Sequence, residues 1–342
     1  MNIKDLFRVA IDKKASDIHL AVGLLPALRV DGNLISLNKF PQIIAKELKE
    51  IIFAVLTEKQ KVRLEEQRDL DFSFDVDGTR FRVNVCYEKE SFNLTARLIS
   101  DKLPTMEDLD LPENIKELLE KNRGLILMTG PTGCGKSTTL AAMINYVNSN
   151  FSRKIITLED PIEFIFESKK SIIVQRQLGS DIPSFASGLK YAMRQDPNVI
   201  MVGEMRDLET VSATVTLAET GHLVLATLHT NNAAQSIDRI IDIFPPYQQS
   251  QIRAELSLTL EAVISQRLLP AAAGGRVATR EIMIRNAAIA NLIRENKIAQ
   301  IQSVIESSGA EGMISSERYL RNLLTKKLIS EEVAKSQMKN LL

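Results

Sequence analysis

The residues best able to do chemistry lie between Gly124 and Leu140. There Gly130-Pro131-Thr132-Gly133-Cys134-Gly135-Lys136-Ser137 satisfies the pattern G-x-x-x-x-G-K-[ST]. That spacing suits a loop that wraps a polyphosphate. The glycines let backbone N–H groups turn inward, the lysine reaches the β- and γ-phosphates, and the serine hydroxyl ligates Mg²⁺. An apolar run from Leu125 to Met128 predicts a strand before the loop. A helical pattern from Thr138 to Val147 follows it and brings its partial positive N-terminus to the phosphates. This strand–loop–helix context is what the motif requires. ATP and Mg²⁺ are the expected cofactors, with Gly130 to Thr138 binding nucleotide. Cys134 invites a redox role, but its position asks only for a backbone N–H and a small side chain.

Hydrolysis also needs acids that hold metal and polarise water. Two further apolar strands end in carboxylates. Lys154 to Leu158 runs into Glu159-Asp160-Pro161-Ile162-Glu163, and Asn198 to Val202 runs into Gly203-Glu204-Met205-Arg206-Asp207. In an open α/β sheet, ligands collect at the carboxyl ends of the strands, so these acids should face the phosphate loop. Glu204 is the candidate for water activation. A third strand, Leu223 to Leu228, is bracketed by His222 and His229, two of only three histidines. A strand of about seven residues spans about 23 Å, so the pair cannot share one metal unless the chain bends. Imidazoles that sense phosphate or metal at a subunit boundary fit that spacing better.

Smaller elements precede this core. Ile3, Leu6, Phe7, Ala10 and Ile11 recur at helical spacing. Leu28 to Val30 meets Asp31-Gly32 and returns through Leu34 and Ile35, which predicts a hairpin. Phe72, Phe74 and Val76 alternate before Asp77-Gly78, and Phe81, Val83 and Val85 alternate after it, predicting a second. One helix is expected over roughly Ile43 to Glu66, and a strand over Phe92 to Ile99. Arg80, Arg82 and Arg97 stand on these strands, where outward-facing solvated positions are the ordinary reading. Ser100 to Thr105 breaks the pattern with Pro104. The expected organisation is an α+β domain over 1–99, a linker over 100–112, and an α/β domain over 113–342 that ends in a helical segment from about 288.

Composition narrows the class. The 342 residues carry 43 basic and 43 acidic side chains and no net charge, which argues against nucleic acid as the partner. Two cysteines, Cys86 and Cys134, provide neither a disulfide framework nor a four-thiolate zinc site. The thiol content suits a reducing, cytoplasmic compartment. No stretch approaches the roughly 18–20 apolar residues that span a bilayer, and the first residues lack a signal-peptide core.

Taken together, these stretches resemble the secretion ATPases of type II secretion and type IV pilus systems. The resemblance rests on the Walker A loop (Gly130–Ser137), an aspartate box (Ile156 to Phe164) and a Walker B strand (Val199–Glu204) with Gly203 in the usual aspartate's place. A histidine box (Glu219–His222 through His229–Asn231), Ala15-Ser16-Asp17-Ile18-His19-Leu20 and Arg80-Phe81-Arg82-Val83-Asn84 complete it. Within the family the chain looks most like the retraction, or twitching-motility, motors. Extension and secretion motors are longer and usually carry paired C-x-x-C motifs. Ala288 to Glu295 resembles the retraction box, with Ala290 where its first arginine stands.

The resemblance implies a RecA-like P-loop ATPase core preceded by a PAS-like α+β domain, working as a homo-oligomer, a hexameric ring, on an inner-membrane pilus platform protein. It implies Glu204 as catalytic base, Glu163 with Ser137 holding Mg²⁺ in part through water, and Lys136 on the phosphates. His222 and His229 would read the nucleotide state. Arg80, Arg82 and Arg97 become candidate trans contacts to a neighbour's phosphate, and Arg194 and Arg206 secondary ones. An accessory retraction ATPase or nucleotide-binding regulator is the nearest alternative. A DNA-translocating motor is a third reading, disfavoured by the neutral charge.

Overall fold

Each of two units, Met1–Leu103 with Pro161–Ile165 and Pro104–Asp160 with Phe166–Leu342, has a large hydrophobic core of its own, and a smaller cluster around Leu269, Tyr319 and Leu323 lies in the second. The computed structural model describes residues 3–30, 32–99 and 103–339. Asp31 of the first expected turn, and Ser100, Asp101 and Lys102 of the expected linker, lie outside the described residues.

The first unit comprises α1 (Ile3–Asp12), β1 (Asp17–Ala21), β2 (Ala27–Val30), β3 (Asn33–Ser36), α2 (Ala45–Val55), α3 (Glu58–Gln67), β4 (Asp69–Val76), β5 (Thr79–Glu88) and β6 (Ser91–Leu98). The strands form one antiparallel sheet in the order β3-β2-β1-β6-β5-β4. Alternation decides which side chains go inward. Phe81, Val83 and Val85 of β5 enter a core shared with Leu6 and Phe7 of α1 and Leu48 and Ile52 of α2. Phe7 meets the Phe81 ring edge-on, centroids 4.5 Å apart. The β4–β5 turn places Asp77 and Gly78 at φ 51° and 84°, the paired positive values that an Asp-Gly hairpin turn requires.

The single helix expected over Ile43 to Glu66 is two. Thr57 and Gln60 form a reciprocal capping box that starts α3, and Leu56 before it is extended and buried. Apolar periodicity continues across the break, but the cap supplies hydrogen bonds that a continuous helix would not need.

The second unit comprises α4 (Glu113–Glu120), β7 (Gly124–Thr129), α5 (Lys136–Asn150), β8 (Lys154–Glu159), β9 (Ile172–Gln177), α6 (Phe185–Ala192), β10 (Val199–Val202), α7 (Leu208–Glu219), β11 (Leu223–Leu228), α8 (Ala233–Asp242), α9 (Pro246–Thr259), β12 (Leu260–Pro270), β13 (Arg276–Ile284), α10 (Ala287–Arg294), α11 (Ile301–Ser307), α12 (Ser316–Thr325) and α13 (Glu331–Lys339). Its seven strands run β13-β12-β7-β11-β10-β8-β9, parallel throughout except for β13. Every residue of β7, β10 and β11 is buried. Strands covered on both faces read as continuous apolar runs, which is why these three were visible without alternation. Because they are parallel, their carboxyl ends share one edge of the sheet, where ligands of α/β folds collect.

Candidate active site

The phosphate loop begins where β7 stops. Gly130 has φ 139°, and a Cβ there would lie 2.2 Å from the Gln266 carbonyl oxygen and 2.7 Å from Cys134 Sγ. Only glycine lets the chain turn this close to β12. Gly133 and Gly135 take φ 77° and 87°, and Gly135 caps α5, which starts at Lys136, two residues before the expected Thr138. Pro131, Thr132 and Gly133 are exposed, whereas Cys134 is buried and its burial pushes the thiol pKa up. A thiol with a raised pKa is a poor nucleophile, in keeping with a packing role. Lys136 Nζ donates to the carbonyls of Gly130 (2.8 Å) and Pro131 (3.0 Å), so its ammonium lies along the loop. Ser137 is exposed in the first turn of α5, with Thr138 half-buried beside it.

Glu204 stands two residues beyond β10 on the same sheet edge, with β11 between its strand and β7. It is 9% exposed. Its carboxylate accepts from Arg206 on Oε1, and His229 Nε2 lies 3.4 Å from Oε2. The backbone around it is pinned to β11: the Thr227 hydroxyl donates to the Gly203 carbonyl, and the Met205 N–H donates to the Thr227 carbonyl (3.1 Å). Glu159, at the end of β8, is also buried and accepts from Thr157 Oγ1 (2.7 Å) and Gln175 Nε2 (3.0 Å). Arg194 is exposed just beyond α6.

The two histidines part company. His229 follows β11 and reaches Glu204, but His222 precedes β11, where its carbonyl accepts from the Gly124 N–H at the start of β7. Its Nδ1 lies 3.0 Å from the Leu217 carbonyl. Six extended residues separate the two edges by about 20 Å, so within one chain His222 does not join His229 at the phosphate-loop edge. Flanking the same strand put the two in one motif and at opposite ends of the sheet.

In the first unit, Arg80 and Arg82 lie on the opposite face of β5 from Phe81 and Val83, and Arg82 is the cross-strand partner of Arg97 on β6. The three therefore share one sheet face. Each has an acid near: Asp75 (3.6 Å) for Arg80, Asp71 (3.9 Å) for Arg82, and Asp17 (2.8 Å) for Arg97. Asp17 is buried and also lies 3.8 Å from Arg29. Glu163 falls in the short segment Pro161–Ile165 that belongs with this unit, and its Oε1 lies 3.9 Å from Arg82 Nη1.

Sequence reasoning missed Gln266 and Arg280, both 2% exposed and hydrogen-bonded beneath the phosphate loop. The signal was a polar run, Ser265-Gln266-Arg267, inside an otherwise apolar strand.

Among the described residues, no group of three or more His, Cys, Asp or Glu side chains could hold a metal alone. The donors at the loop edge are a hydroxyl and carboxylates, hard oxygen ligands suited to Mg²⁺, which usually binds through one or two carboxylates plus phosphates. Such a loop, its lysine and a strand-end acid on a parallel sheet define a P-loop nucleotide-binding protein of the α/β class. The family model described as type II/IV secretion system protein matches residues 2–335, and the chain belongs to that family. It is 46% identical over 340 residues to the type IV pilus retraction ATPase PilT of Pseudomonas aeruginosa, covering 99% of this chain and 98% of that protein. It is 45% identical over 317 residues to a twitching motility protein of Neisseria gonorrhoeae, covering 92% and 84%. A crystal structure of the pilus retraction motor PilT with bound ADP superimposes with a TM-score of 0.91 at 47% identity, covering 98% and 96%.

Proposed function

We propose that this chain is an ATP-hydrolysing motor of a type IV pilus system that drives pilus retraction. The observation that carries the chemistry is the placement of Glu204, clasped by Arg206 and His229, on the same sheet edge as Lys136 and Ser137. The near full-length similarity to PilT supports retraction as the work. In this reading the loop N–H groups and Lys136 bind and orient the triphosphate. Glu204 orients the attacking water and accepts its proton, and Arg206 and His229 fix the carboxylate's direction. Mg²⁺ would be held in part by the Ser137 hydroxyl and would supply charge neutralisation on the triphosphate. The chain works as a hexameric ring, and at least one of Arg80, Arg82 and Arg97 contacts the transferring phosphate of a neighbouring subunit late in the reaction. Such a contact stabilises charge that develops only then.

Among the described residues, no helix is long and apolar enough to cross a membrane. We place the motor on the cytoplasmic side, held at the inner membrane through a platform protein of the pilus machine. Steady-state ATPase measurement tests the chemistry: Lys136→Ala and Glu204→Gln should each lose about 10²-fold or more in turnover. Near-normal rates in both would sink the assignment. Complementing a hyperpiliated strain that lacks its retraction motor tests the work, with restored twitching expected. Robust ATPase activity without restored twitching would point to the accessory role instead.

A further inference from the structure

The Gln266 side chain bonds both the phosphate loop and the helix it launches. Its Nε2 donates to the Cys134 carbonyl (2.7 Å), and its Oε1 accepts from Thr139 Oγ1 (3.1 Å) on α5. A third partner decides which way the carboxamide points. Arg280 Nε donates to Oε1 at 2.9 Å, and a guanidinium N–H can only donate. The oxygen must therefore face Arg280, which turns the amide NH₂ toward the loop carbonyl. A flipped amide would set NH₂ against a guanidinium donor and leave the Cys134 carbonyl facing an oxygen.

Arg280 is held from the far side. Nη1 donates to Tyr319 Oη (2.7 Å) on α12 and to the Asp110 carbonyl (3.3 Å), and Nη2 donates to the Leu109 carbonyl (2.9 Å). Among the described residues no carboxylate pairs with this buried cation. An unpaired buried charge is costly to folding, and an apolar side chain would fill the space with less penalty. What the guanidinium adds is direction: five fixed donors in a plane that link three segments far apart in sequence.

We propose that Gln266 is a positioning residue for the phosphate loop, and that Arg280 and Tyr319 lock its orientation and couple the loop to helix α12. This rests on the nucleotide-binding reading of that loop. The consequence is that a change at Tyr319, on another element, alters nucleotide affinity. The loop N–H groups that meet phosphate follow directly from the carbonyl that Gln266 holds.

The test uses the full chain and a fluorescent ADP analogue, with ATP kinetics and melting temperature measured in parallel. Tyr319→Phe removes one hydroxyl and keeps the ring, so it should fold. It is expected to weaken ADP two- to fivefold and to raise KM by a similar factor, with kcat changed less than twofold. Gln266→Leu is expected to weaken ADP at least tenfold. The double variant should bind no more weakly than Gln266→Leu alone, because the Tyr319 effect travels through that carboxamide. Additive losses, or unchanged affinity in Tyr319→Phe, would overturn the coupling. Affinity within twofold of wild type in Gln266→Leu would overturn the positioning role. Lys136→Ala serves as reference: if it binds ADP normally, the nucleotide site itself has been misplaced, and that failure is separate from the other two.

Discussion

Gly130→Ala isolates the geometric demand of the phosphate loop. The added Cβ would sit 2.2 Å from the Gln266 carbonyl oxygen and 2.7 Å from Cys134 Sγ. A carbon–oxygen contact of about 3.3 Å is the ordinary near limit, so about 1 Å must be found. Cys134 can turn its side chain, but the Gln266 carbonyl belongs to β12, which is paired with β7 on one side and β13 on the other. The loop is the part that yields. At φ 139° an alanine also carries backbone strain of about 1–3 kcal/mol. Misplacing a binding group by 1 Å can cost about 10²-fold, so ADP affinity should fall by that order. Gly133→Ala is the internal control. Its φ is 77°, yet nothing lies within 4 Å of its Cβ, leaving only the left-handed penalty of about 1–2 kcal/mol. Isothermal titration with ADP, beside denaturant melts of both variants, measures the contrast. Gly130→Ala protein that binds ADP within threefold of wild type would refute the claim that β12 fixes the loop's path.

Three further expectations concern other groups. Burial pushes the Glu281 carboxyl above its ordinary 4.5, against opposing help from the Ala233 N–H and Arg267. Because the folded pKa is raised, the neutral form's stabilisation is full below about pH 4.5 and is lost as pH rises through the folded value. Glu281→Gln should therefore melt higher than wild type at pH 8, with the gain shrinking toward pH 4.5; a pH-independent difference would contradict this. Asp17→Ala leaves Arg97 and Arg29 without their shared acid and should cost about 1–3 kcal/mol in urea unfolding. His229→Ala, which frees one oxygen of Glu204, should lower kcat and leave ADP affinity unchanged, whereas His222→Ala should change neither. Equal losses of kcat in the two histidine variants would contradict the separation of the two along β11.

What the sequence revealed about this site follows from how local each feature is. The strand, loop and helix around Gly130–Ser137 are contiguous, so spacing alone placed them. Glu204 was legible for a related reason: a fully apolar run has to be an inner parallel strand, and its end has to lie on the ligand edge. The separation of His222 from His229 was legible too, since the six residues of β11 between them carry the chain about 20 Å along the strand. Gln266 lies 132 residues from Cys134 and Arg280 lies 39 from Tyr319, contacts that no window of spacing can contain. Glu163 sits four residues after a second-unit strand but belongs with the first unit. Leu56 shows the same limit at short range, since helical periodicity ran straight through a capping box.

Gly203 joins the legible and the hidden parts. A Walker B strand usually ends in an aspartate where this glycine stands, and the sequence offers no reason for the exchange. In the fold, a Cβ at 203 would lie 3.0 Å from the Leu158 carbonyl oxygen and 3.4 Å from the Glu159 Cα, because the Gly203 N–H donates to that carbonyl at 2.7 Å. β10 and β8 are thus drawn together past the last ladder pair, and a side chain there would need its neighbours to give by a few tenths of an ångström. The acid is displaced one residue, to Glu204, beyond the strand proper. There strand pairing no longer fixes it, and its direction depends on Arg206, His229 and the Thr227 hydroxyl bond to the Gly203 carbonyl. A carboxylate held by side chains on neighbouring elements can be moved by them, which a strand-borne aspartate cannot. The glycine therefore leaves Glu204, the acid proposed to orient water, beyond the strand ladder, with its aim set in part by His229 at the end of β11.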